Sequence, residues 1–146
     1  VFRPFNVFGP GMPKNDYRVF PRFFSSIKRN KPITIFKNGK QTRTFCYVTD
    51  AITAMFLVIL KGKNFVYNIG NDNPEINMTD LYQTIKKNVP KKVSSVNINY
   101  PKNYPQVEPQ RRCPDISKIK IELNFKNRVS LKDSIKRFYN WSKIYY

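Results

Sequence analysis

The chain has 146 residues, enough for one domain with its own core. A make-up of 40% apolar, 15% aromatic and 25% charged residues excludes collagen-like, low-complexity and disordered classes. The 27 Lys and Arg outweigh the 9 Asp and Glu to give +18, and the absence of His excludes a His general base, a His metal ligand and a Ser-His-Asp triad.

In chain order, Val1–Phe8 reads as a strand closed by the turn Gly9-Pro10-Gly11. A helix follows with Pro21 in its first turn and Phe23, Phe24 and Ile27 at helical spacing, ending near Arg29-Asn30. Ile33–Phe36 and Thr42–Val48 read as strands, and Asn38-Gly39 between them predicts a β-hairpin. Thr49 or Asp50 can cap a helix over residues 51–61, stopped by Gly62. Phe65–Ile69 reads as a strand, Thr79 as the cap of a helix over residues 80–88, and Val93–Ile98 as a further strand. Tyr100–Arg112, with three Pro and no periodicity, reads as loop. Two closing helices are expected over residues 115–123 and 130–145. Strands alternating with helices define an α/β or α+β class.

The positive balance would draw phosphates, from nucleic acid or an anionic lipid surface. Codon drift is the other reading, since 18 Lys, 16 Asn and 14 Ile all use AT-rich codons. Lys is spread singly or in pairs, without a basic tail, so the charge reads as a solvated face, with no specific nucleic acid as partner. No apolar run reaches the roughly 20 residues of a bilayer span, and none reads as a signal peptide, so no membrane partner is expected. Cys46 lies in an apolar strand and Cys113 in a polar loop, without zinc or disulfide spacing; a reduced, cytoplasmic compartment fits, and no metal site is expected. No Gly-rich turn follows a strand, so the chain has no usual cradle for a dinucleotide pyrophosphate.

Four segments stand in a particular order: Arg3–Pro10 (RPFNVFGP), Gly39–Asp50 (GKQTRTFCYVTD), Tyr67–Asn71 (YNIGN) and Arg111–Ile116 (RRCPDI). Together they resemble the C-terminal half of the extended short-chain dehydrogenase/reductase (SDR) enzymes of the NAD-dependent epimerase/dehydratase family, most closely the UDP-glucuronate decarboxylases. The resemblance implies an α/β fold, the substrate-binding portion of a Rossmann-type enzyme without its N-terminal Rossmann half. Residues 1–146 would then be one nucleotide-sugar-binding portion, with residues 1–8 finishing the NAD-binding sheet. It further implies NAD as cofactor, a UDP-sugar as substrate and a homodimer when full length. The family's catalytic Tyr-x-x-x-Lys would lie upstream, so no catalytic residue is expected here and the chain alone is expected to be inactive. Tyr82/Lys86 and Tyr139/Lys143 share that spacing far downstream of the family position, at a frequency chance accounts for.

Residue by residue, the resemblance carries Asn6, Val19, Ile35, Phe36, Arg43 and Arg112 over as substrate-binding, and Phe5, Val7 and Arg18 as cofactor-binding. Arg43 and Arg112 suit a diphosphate because a guanidinium offers a planar fork of charge-assisted donors. They are expected to converge on one pocket near Asn6. The backbone N–H groups of Arg18 and Val19, at a helix start, form an expected anion site. Tyr17 and Lys37 stand where relatives often have Gly. Asp50 and Asp115 read as helix caps rather than catalytic acids. Two further readings stay open: a basic nucleic-acid-binding module with aromatic stacking platforms, and a noncatalytic relative that binds sugar nucleotides. Without upstream strands, the chain is expected to expose apolar surface.

Overall fold

A computed structural model describes residues 1–63, 66–102 and 109–146. The chain starts with β1 (Phe2–Pro4) and β2 (Val7–Phe8). These are not one strand. Asn6 between them takes φ 46, in the left-handed region. Asn is one of the few non-Gly residues that adopt it routinely. The kink lets the chain change neighbours: β1 pairs in parallel with β6 (Tyr67–Ile69), whereas β2 pairs in parallel with β5 (Cys46–Tyr47).

Helix α1 (Val19–Lys28) starts two residues before Pro21 and buries Phe20, Phe23, Phe24 and Ile27. Asn30, at φ 56, turns the chain away. Strand β3 (Ile33–Phe36) follows, but the expected hairpin does not form. The turn itself is present, with Gly39 N–H donating to Phe36 C=O at 3.1 Å. Its two arms diverge: β3 pairs in parallel with β8 (Ser95–Ile98), and β4 (Thr42–Arg43) lies between β7 (Ile76–Asn77) and β9 (Arg111–Arg112). Local turn chemistry was right and partner choice was not, because parallel partners come from distant segments. Gly39 docks instead on the next helix start. Its C=O accepts from Met78 N–H at 2.9 Å, and a Cβ there would lie 2.6 Å from Thr79 Oγ1.

Helix α2 (Val48–Lys61) has no side-chain cap at its N-cap residue, Tyr47. Asp50, 4% exposed, reaches across the fold instead, its Oδ2 accepting from the N–H groups of Arg128 and Val129 at 3.0 Å each. Its role is a tie between α2 and the segment before α5 (Leu131–Tyr145), not the expected cap. Helix α3 (Met78–Asn88) is capped by Asn77, whose Oδ1 accepts from Asp80 N–H at 2.8 Å; Thr79 lies inside the helix. Asp115 meets the expectation of a cap, accepting from Ser117 N–H at 2.8 Å at the start of α4 (Ser117–Leu123). Arg111 and Arg112, expected in loop, form strand β9. Residues 103–108 of that segment, and Phe65 of the expected strand, lie outside the described residues.

Two apolar clusters result. One gathers Phe8, Phe20, Phe24, Phe45 and Phe138 among α1, α3 and α5. Phe8 stacks on Phe20 with ring centroids at 3.6 Å, and Phe138 meets Phe24 edge-on at 5.0 Å. An edge-on pair of this kind adds about 0.5–1.5 kcal/mol beyond its buried area. The other gathers Cys46, Tyr67, Ile69, Ile116, Ile119 and Phe125 among α2, β6 and α4. The pleat of β5 serves both: Cys46 faces the second cluster and Tyr47 the first. Burial pushes the Cys46 thiol up to about 12, as suits a small core hydrophobe.

The outer stripe of α2 is bare. Ile52, Phe56, Ile59 and Leu60 recur at helical spacing and are exposed, Phe56 at 59% and Leu60 at 75%. No helix among the described residues is long and apolar enough to cross a membrane.

Candidate functional site

A cleft of about 280 Å³ opens where the kink at Asn6, the start of α1, the end of β3 and the pair β4–β9 meet. Parallel pairing sets its charged wall. In register, Arg43 on β4 lies beside Arg112 on β9, so both side chains leave the same face of the sheet. Arg111, one residue earlier, leaves the other face. There its guanidinium donates to both carboxylate oxygens of Glu75 at 2.9–3.2 Å, and Thr42 donates to Glu75 at 2.5 Å. These bonds, that of Thr42 foremost, hold the Glu75 carboxyl below its ordinary range. Alternation along β9 thus separates a structural arginine from one that faces the cleft.

Asn6, Val7, Arg18, Val19, Phe36, Arg43 and Arg112 all line this cleft. Phe5 and Ile35 do not. Phe5 donates its N–H to Ile69 C=O at 2.8 Å and packs beside Gly70. Ile35 is buried in the core, where the inward face of β3 points its side chain. The structure brings neither side chain to the cleft.

Three of the lining residues are already engaged within the chain. The Asn6 side-chain amide donates to Thr44 C=O at 2.8 Å and Arg112 C=O at 3.3 Å. Arg43 is only 7% exposed; its guanidinium donates to Thr42 C=O at 2.7 Å and Pro109 C=O at 2.6 Å. It therefore fastens the Pro109–Arg112 segment to β4 and places one edge of charge on the cleft. Arg112 is exposed.

The third is Arg18, and here the expected anion site is altered. Its backbone N–H donates to Asp16 Oδ1 at 2.8 Å, and its guanidinium grips the same carboxylate through Nε and Nη2. The Arg18 side chain holds the Asp16 carboxyl below its usual value, and Asp16 raises Arg18 in turn. An acidic side chain thus stands where the helix start would receive an anion.

Sequence reasoning missed several lining residues. Gln41 is buried and lines the cleft two positions before Arg43; strand alternation could have found it. Arg22 was hidden in an apolar helix pattern. Its guanidinium carbon lies 4.0 Å from the Phe36 ring centroid. Lys37 takes φ 50, so it holds the left-handed turn that a Gly would adopt without strain.

The two Tyr-x-x-x-Lys strings lie away from the cleft. Tyr82 is buried and donates to Val93 C=O at 3.2 Å, and Tyr139 packs into the first cluster. Among the described residues, no Asp or Glu lines the cleft, and no group of three His, Cys, Asp or Glu could hold a metal. The cleft is cationic and aromatic, suited to bind an anion bearing a flat ring and lacking an acid–base pair of its own.

The fold is the mixed α/β arrangement of the C-terminal part of Rossmann-type nucleotide-sugar epimerases. The chain is similar to UDP-glucuronic acid 4-epimerase from Bacillus cereus, solved with UDP-glucuronic acid and NAD: TM-score 0.85, 30% identity, 99% of this chain and 45% of that one. UDP-glucose 4-epimerase from Thermotoga maritima, solved with UDP-glucose, aligns with TM-score 0.84 and 26% identity over 96% of this chain and 44% of that one.

Residues 1–70 match the NAD dependent epimerase/dehydratase family. UDP-glucuronic acid decarboxylase 1 of Arabidopsis thaliana is 33% identical over 137 residues, 94% of this chain. UDP-glucuronate 4-epimerase of Thermodesulfobacterium geofontis is 34% identical over 145 residues, 98% of this chain. The chain spans 30% and 42% of the lengths of these two relatives. Residues 1–70 thus carry the match to the NAD dependent epimerase/dehydratase family, and the chain as a whole is similar to the C-terminal part of its nucleotide-sugar enzymes.

Proposed function

We propose that this chain is the nucleotide-sugar-binding portion of an NAD-dependent epimerase/dehydratase that acts on a UDP-sugar, UDP-glucuronate decarboxylase-like in its reaction. The observation that carries the reading is the side-by-side register of Arg43 and Arg112 over a cleft shared with Asn6 and Phe36. Two guanidinium groups on one face match the two charges of a diphosphate. Asn6 Oδ1 accepts from a sugar or ribose hydroxyl. Val19 and Phe36 contribute the apolar part of the cleft lining.

NAD fits this chain in part. Val7 lines the cleft at a strand end, where a nicotinamide ring could be approached, whereas no Gly-rich turn in the sequence suits the pyrophosphate. When bound, NAD supplies the hydride acceptor for oxidation at the sugar C4. The chain's own residues supply position: anchoring the diphosphate fixes the sugar relative to the reacting groups and lowers the entropic part of the barrier.

The test is calorimetric titration of the complete polypeptide that carries this chain with UDP and with UDP-glucuronate, followed by product analysis with NAD. Saturable binding of both, with release of carbon dioxide and a UDP-pentose, supports the reading. Absence of UDP binding overturns it, and a UDP-hexuronate product replaces decarboxylation by epimerisation. A basic nucleic-acid module would instead bind single-stranded DNA with a steep salt dependence and no competition by UDP.

A further inference from the structure

The aromatic ring that would stack a base is already covered. Phe36 is 6% exposed. The guanidinium of Arg22 lies over one side at 4.0 Å, and the Tyr100 ring packs against Phe36 at 5.0 Å, tilted by 49°. What meets the cleft beside Phe36 is therefore Arg22, which lines it from the first turn of α1.

We propose that the planar guanidinium of Arg22, backed by Phe36, is the platform on which the base of a bound nucleoside diphosphate stacks. This rests on the nucleotide-sugar reading and assigns its base subsite to a residue outside the recognisable motifs. A guanidinium is flat, delocalised and weakly hydrated on its faces, so it stacks on a π-system with one face and accepts a nucleobase on the other. An ammonium group has the charge without the plane. Phe36 acts as a positioning residue, since its ring lies 4.0 Å from the guanidinium carbon and holds it at the cleft edge. The arrangement divides the cleft chemically: Arg112 and Arg43 lie side by side on the sheet for the diphosphate, and Arg22 lies on the helix for the ring.

The experiment is isothermal titration of the complete polypeptide, wild type, Arg22→Lys and Arg22→Met, with UDP and with inorganic pyrophosphate. Thermal midpoints are recorded for each variant. Stacking predicts that both variants bind UDP about tenfold more weakly. In Arg22→Lys, pyrophosphate binding stays within about twofold of wild type, because the charge remains. Rescue of UDP affinity by Arg22→Lys, or parallel losses of UDP and pyrophosphate, would make Arg22 a phosphate ligand and overturn the proposal. Unchanged UDP affinity in both variants also overturns it, leaving the nucleotide-sugar reading intact. Failure of the wild type to bind UDP overturns that reading, and the proposal with it. Comparable thermal midpoints with selective loss of UDP exclude a purely structural effect.

Discussion

Arg43 and Arg112, far apart along the chain, are direct register partners on adjacent parallel strands, one buried and one exposed. The difference in burial separates their mutational effects. Arg112→Ala removes a cation that holds nothing else through its side chain among the described bonds. UDP affinity is expected to fall at least about tenfold, the scale of a charged hydrogen bond, with little change in thermal midpoint. Arg43→Ala also releases the carbonyls of Thr42 and Pro109. It is expected to lose affinity to a similar degree and about 2 kcal/mol of stability as well. Titration and denaturant unfolding on the same samples check both; equal stability losses would contradict this division.

The kink at Asn6 combines a left-handed backbone with two side-chain bonds. Asn6→Gly keeps the backbone and loses the bonds, whereas Asn6→Ala loses both. The expected stability order is wild type, then Gly, then Ala, with Ala about 1 kcal/mol below Gly from the backbone term. Denaturant midpoints test the order. An Ala variant as stable as the Gly variant would show that the kink carries no backbone strain.

The sequence is most informative where the signal is local. Phe23, Phe24 and Ile27 announced α1 because helical spacing is a short-range property. Asn38-Gly39 announced its turn, but no local feature says that β3 joins β8 and β4 joins β9. Asp50 looked like a helix cap, yet its partners, Arg128 and Val129, are distant in sequence. The site followed the same division. Motif arginines were legible, whereas Arg22 gained meaning only when β3 brought Phe36 beneath it.

Asp50 has a structural task, so its substitution is expected to act on stability alone. Asp50→Ala leaves two backbone N–H groups without their acceptor, at a cost of about 2–4 kcal/mol. UDP affinity of the folded fraction should be unchanged. A variant with normal stability and impaired binding would reverse the assignment.

Alkali should weaken the fold with a definite sign. Burial raises the Cys46 thiol from 9.0 to about 12 and the Tyr146 hydroxyl from 10.0 to about 12. Both groups are held protonated by the folded state and ionise earlier when it opens. Their stabilising contribution is complete below about pH 9 and declines as pH climbs toward 12. Denaturant midpoints across that range should fall, and Cys46→Ala should flatten the initial part of the decline. With Tyr146→Phe added, the later part should flatten too. Midpoints independent of pH across this window would refute the linkage.

The stripe Ile52, Phe56, Ile59 and Leu60 sets grease along the flank of α2 on a strongly cationic molecule. Mutual repulsion and adhesion therefore compete whenever two copies meet. At low ionic strength the charge keeps copies apart; added salt shortens its reach to roughly 10 Å at 0.1 M, and the helices stick. This polypeptide, purified by itself, is expected to cloud on salting rather than on dilution, and Phe56→Glu with Leu60→Lys to keep it clear.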